Sequence, residues 1–69
     1  MKAQEIRSLS VDAIRSQLED AREELMRLRF QHATGELTDT SRVRVTRRTI
    51  ARLSTILQEQ LVAEKEGEG

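Results

Sequence analysis

The chain has 69 residues, 36% hydrophobic content and a single aromatic, Phe30, too little apolar material to enclose the water-excluding site of a self-contained enzyme. Twelve basic and twelve acidic residues give a formal net charge of zero, so no long-range field selects a class of partner. The absence of cysteine excludes a disulfide framework and a thiolate metal site.

The zero is a sum of opposed blocks. Residues 1–41 carry 6 basic and 8 acidic groups, residues 42–58 carry 5 arginines and no acid, and residues 59–69 carry 1 lysine and 4 glutamates. No apolar run approaches the roughly 18 residues of a membrane span, and the N-terminus lacks the apolar stretch of a secretory signal. A cytoplasmic protein without membrane contact is expected.

Taken in chain order, residues 2–9 hold Ile6 and Leu9 three apart, enough for a short helical segment. Ser10 can then cap a helix over about 10–34, with Asp12 well placed against its positive end. In that stretch Val11, Ile14, Leu18, Ala21, Leu25 and Leu28 recur at intervals of three and four, the spacing of one helical seam, and His32 takes the next position. Gly35 suits the left-handed residue that closes such a helix. A turn over about 35–40 follows, with Asp39, Thr40 and Ser41 as candidate caps for a second helix over about 41–63. There Val43, Thr46, Ile50, Leu53, Leu57 and Gln60 or Leu61 repeat the seam. Residues 65–69 read as a disordered acidic tail beyond a single domain over 1–64.

The expected fold is therefore all-α: a long antiparallel two-helix hairpin with a short N-terminal helical segment. One register aligns both seams, with Leu25 facing Ile50, Leu18 facing Leu57, Ile14 facing Leu61 and His32 facing Val43. So few aliphatic side chains leave the isolated hairpin marginal, and a partner that binds only the folded form would stabilise it.

Metal and acid/base chemistry find no support. His32 is the sole histidine and is expected to pack on or near the seam, and Glu19, Asp20, Glu23 and Glu24 interleave with Arg15, Arg22 and Arg27 as a solvated face of ion pairs. No nucleotide-binding glycine pattern occurs, so neither a cofactor nor a small-molecule substrate is expected.

The informative stretch runs from Arg42 to Arg52. At about 100° per residue, Arg44, Arg48 and Arg52 line up one turn apart with Arg47 beside them, and the apolar seam lies nearly opposite. No acid occurs from Thr40 through Gln58, so these arginines lack acidic partners one turn away on their own helix. Guanidinium donates paired hydrogen bonds to phosphate oxygens, which points to a nucleic-acid backbone. The same pattern also fits a solvated face paired across the hairpin with the acidic first helix. Arg27, Arg29, Gln31 and Thr34 carry polar character toward the turn. Met26, Phe30 and Ala33 form a second apolar strip, rotated about 120° from the seam, which two helices cannot also bury. Either Leu37 and the loop cover it or it contacts another macromolecule.

Several blocks, in order and spacing, add a family resemblance. Met1-Lys2-Ala3, Glu5-Ile6-Arg7, Leu28-Arg29-Phe30-Gln31, Ala33-Thr34-Gly35, Arg42-Val43-Arg44, Arg47-Arg48 and Ile50-Ala51-Arg52 together resemble the bacterial large-subunit ribosomal protein twenty-nine family, over residues 1 to about 61. The resemblance implies a non-enzymatic structural constituent of the large ribosomal subunit that binds its rRNA near the nascent-peptide tunnel exit. Its implied neighbours are ribosomal protein twenty-three and, as docking factors, trigger factor and the signal recognition particle. The family's RNA-facing blocks map onto Arg29, Gln31, Thr34 and Gly35 at the turn and onto Arg42, Arg44, Arg47, Arg48 and Arg52 in the second helix. Thr40 stands where many members have proline, and Ser54 and Gln58 where basic residues are frequent, so the expected RNA contact ends at Arg52. The alternative is a protein-binding coiled-coil hairpin without RNA contact, docking through Met26, Phe30 and Ala33.

Overall fold

A computed structural model describes the backbone of residues 2–36 and 39–68. Three helices follow one another: α1 over Ala3–Arg7, α2 over Val11–Ala33 and α3 over Ser41–Glu68. The long pair packs side by side and α1 lies on α3, giving a rod with extents of 51 × 17 × 14 Å. The all-α hairpin with a short N-terminal helix is thus the observed architecture.

Helix boundaries follow local chemistry. Ser10 has extended backbone, and its hydroxyl accepts the Ala13 amide at 3.2 Å, satisfying one of the orphan donors at the start of α2. At the other end Gly35 takes φ +82°, the Glu36 amide donates to the Gln31 carbonyl at 2.9 Å, and the Gly35 amide donates to the His32 carbonyl at 3.2 Å. These two bonds are the Schellman closure, which returns donors to carbonyls the helix leaves open. Among the candidate caps of α3, Asp39 supplies the acceptor: its Oδ1 accepts the Ser41 amide at 2.9 Å. That bond favours the ionised carboxyl and holds Asp39 below the ordinary 3.8. Helix α3 extends to Glu68, beyond the expected end at 63 and through most of the stretch read as a disordered acidic tail. Glu64 and Lys65 are good helix formers, and their propensity carries the last turns on.

The core gathers Ile6, Ile14, Leu18, Ala21, Leu53 and Ile56, with Ala3, Leu9, Ile50 and Leu57 packed against it. Leu28 is also buried nearer the turn. Most of these are the seam residues. Ile56 is not, because it sits off the stripe that faces α2, yet only 3% of it is exposed. It belongs to the side of α3 on which α1 lies, in the cluster that includes the fully buried Ile6. Two polar contacts hold α1 there: the Gln60 side-chain amide donates to the Arg7 carbonyl at 3.3 Å, and Arg7 pairs with Glu59 at 3.7 Å.

The register differs from the expected one. Glu24 would have faced Ala51 but pairs with Arg42, and Ala21, expected near Ser54, shares a surface hollow with Thr46 and Thr49. The helices have slid by at least a turn, because a seam repeating every three or four residues matches itself again after such a shift. His32 is accordingly exposed instead of packed on Val43. The slide carries it past the start of α3, where no facing helix remains.

Replacing Ile6 by alanine should cost about 2–5 kcal/mol, since a fully buried aliphatic side chain leaves a cavity, whereas Gln60→Ala should cost about 1 kcal/mol. Thermal unfolding followed by circular dichroism checks the order of the two. Because the folded-state pKa of Asp39 is depressed, its contribution to stability is fully present above the unfolded value and is lost as pH falls through the lower folded value. A carboxyl NMR titration should place the Asp39 midpoint below the ordinary 3.8, and a midpoint at or above that value would contradict the cap.

Candidate nucleic-acid interface

Helix α3 begins with arginine at its positive pole. Its first turn contains no acid, while Arg42 and Arg44 add charge where the unpaired amides already concentrate positive potential. In an isolated helix this placement is unfavourable, and the Asp39 cap offsets it only locally. Arg42, Arg44, Arg47, Arg48 and Arg52 are all exposed, and the burial pattern puts Thr46, Leu53 and the half-buried Ile50 and Leu57 on the opposite side. Alternation of seam and charge along one helix therefore sets the arginine face outward.

The five arginines are not equivalent. Arg42 Nη2 reaches Glu24 Oε1 at 3.4 Å, so the pairing across the hairpin does occur at this position. Both side chains are well exposed, and an ion pair of that kind contributes about 0–1 kcal/mol, easily exchanged for another anion. Arg52 lies by a shallow hollow shared with Ala3 and Arg7 and has an interaction within the molecule. Arg44, Arg47 and Arg48 have no side-chain hydrogen bond or ion pair among the described residues. They are the unneutralised centre of the face, with neighbours one turn apart separated by about 6 Å.

At the turn the expected residues play different parts. The Gln31 carbonyl accepts both the Glu36 amide and the Thr34 hydroxyl, the latter at 3.1 Å, so Gln31 and Thr34 serve the helix end through these atoms. Among the described residues, a methyl group added at Gly35 would meet nothing within 4 Å. Arg29 is exposed and unpaired among the described residues, and so is Arg27, which the expected set of contacts omitted. The signal for Arg27 was present in the acid-free run from Leu25 to Gly35. The expected ion pairs of Arg15, Arg22 and Arg27 with the α2 carboxylates do not form; exposed pairs one turn apart gain only about 0.3–0.5 kcal/mol, too little to fix long side chains.

Met26 and Phe30 are 74% and 68% exposed, and Ala33 is exposed beside them. Leu37, the residue expected to cover them, lies outside the described residues. No group of His, Cys, Asp and Glu able to hold a metal occurs among the described residues, and no described helix is long and apolar enough to cross a membrane.

These features define a class: a small helical hairpin with an exposed cationic face, of the kind that binds a partner through its surface. The comparisons name the family. Residues 4–60 match the family model described as Ribosomal L29 protein. The large ribosomal subunit protein uL29 of Desulfatibacillum aliphaticivorans is 51% identical over 59 residues, covering 86% of this chain and 95% of that protein. Its counterpart in Staphylococcus haemolyticus strain JCSC1435 is 50% identical over 64 residues, 93% of each chain, and that of Staphylococcus aureus strain JH9 is 52% identical over 60 residues, 87% of each. The chain belongs to the ribosomal L29 (uL29) family. It is a structural constituent of the large ribosomal subunit in the cytoplasm and not an enzyme.

Substituting Gly35 by alanine should destabilise the hairpin by about 1–2 kcal/mol through backbone strain alone, because the added methyl meets no neighbour. Gly35→Asn should cost less, since asparagine tolerates the left-handed region. Chemical denaturation of the three proteins checks the ranking.

Proposed function

We propose that the chain binds large-subunit rRNA through α3 and the hairpin turn. Arg44, Arg47 and Arg48 form the centre of the contact, Arg42 and Arg52 flank it, and Arg29, Gln31, Thr34 and Gly35 contribute at the turn. The observation that carries this reading is the set of three outward guanidinium groups, lacking any carboxylate partner among the described residues, on a helix whose positive pole Arg42 and Arg44 reinforce. A phosphate backbone supplies the missing charge at the matching spacing, and bidentate hydrogen bonding suits guanidinium better than ammonium. Shape and backbone contacts dominate over base reading in this mode, because A-form helices hide their major-groove edges. Family membership supports the choice of RNA over an acidic protein.

The resemblance to the family further supports a place near the nascent-peptide tunnel exit, beside ribosomal protein twenty-three. In that position the protein would support translation and lie where trigger factor and the signal recognition particle dock.

Arg44→Glu combined with Arg48→Glu should leave helicity nearly unchanged, since both side chains are exposed, yet prevent incorporation into the large subunit. Circular dichroism and sedimentation of reconstituted particles test the two halves, and normal incorporation of the double variant removes the assigned role from this face. Wild-type affinity for subunits stripped of the protein should fall with a log–log salt slope of at least about 2, as expected for three neutralised phosphates at about 0.7–0.9 each.

A further inference from the structure

The exposed strip on α2 is not explained by the arginine face of α3. Phe30, the only aromatic of the chain, stands 68% exposed in the last turn of α2, with Met26 74% exposed one turn earlier. Arg27 and Arg29 flank Phe30 on neighbouring helical positions, and neither has a side-chain partner among the described residues. No acid occurs from Leu25 to Gly35. Glu23 and Glu19, one and two turns before the strip on the same side of an ideal helix, mark where a polyanion would be repelled. The apolar surface is therefore confined to the cationic end of the helix, beside the turn at Gly35.

This charge pattern discriminates between occupants. A protein surface built to cover Phe30 and Met26 would have to provide counterions for both flanking arginines. A nucleotide brings both chemistries at once: a flat π-face for the ring, and phosphates on either side within reach of guanidinium groups. We propose that Phe30, floored by Met26, is the stacking platform for one unpaired base of the subunit's RNA, with Arg27 and Arg29 holding the flanking phosphates. The proposal rests on the RNA-binding reading above and adds a base contact to what is otherwise a backbone contact. It also replaces the protein-contact role that periodicity alone gave to Met26, Phe30 and Ala33.

Crosslinking in assembled large subunits separates the two levels. A benzophenone amino acid at position 30 should crosslink to rRNA at a single unpaired nucleotide; a crosslink to protein, or none, overturns the platform. The same probe at position 48 tests the arginine face alone, so an RNA crosslink from 48 beside a protein crosslink from 30 sinks only the present proposal. Exposure of Phe30 means that substitutions there should leave thermal unfolding unchanged, so affinity can be read directly. Phe30→Leu, which keeps an apolar group but removes the ring, should weaken binding to stripped subunits by roughly 5- to 100-fold. Phe30→Tyr should bind as wild type. Equal binding by the leucine variant overturns the proposal.

Discussion

Everything in this molecule is arranged around guanidinium groups at the positive end of a helix with no acid along its basic half. Arg42 and Arg44 reinforce the pole of α3, and the first carboxylate in that helix is Glu59. Self-repulsion along such a row weakens the free protein slightly and makes an external anion correspondingly welcome. The hairpin does not quench this charge. One exposed pair, Arg42 with Glu24, crosses between the helices, while Arg44, Arg47 and Arg48 face away from α2.

The rest of the fold serves to hold that face in place with little material. Two helices alone would offer a single seam, and the short α1 adds a second small contact on the flank of α3. Ile6 fills it completely, Ile56 receives it, and Gln60 and Glu59 tie down the end of α1. This division leaves the first half of α3 free on its outer side and gives the second half to internal packing. The charge blocks agree with it, since arginines occupy the free half and glutamates begin where α1 docks.

A protein of this size inside a large assembly has little need for independent stability, because binding to the folded form contributes by mass action. That accounts for a core built without aromatics or disulfides. It also fits the exposure of Phe30 and Met26, which would be a liability on a free protein of this size and becomes an asset in the proposed RNA contact.

Much of this was legible in the residue order. Helix type, the Ser10 cap, the closure at Gly35 and the outward arginines follow from short-range rules, because caps, left-handed glycine and helical periodicity depend on a few neighbouring residues, while the family was legible only as a resemblance carried by blocks such as Ala33-Thr34-Gly35 and Arg42-Val43-Arg44. Tertiary structure alone decided the rest. The register slid by at least a turn because a periodic seam fits itself at more than one offset, and His32 lost its expected neighbour as a result. Ile56 became core only because α1 folds back on it, and Arg42 met Glu24 across the hairpin only in the register the helices adopt. These outcomes depend on which surfaces meet in space, a matter on which spacing along a single helix is silent.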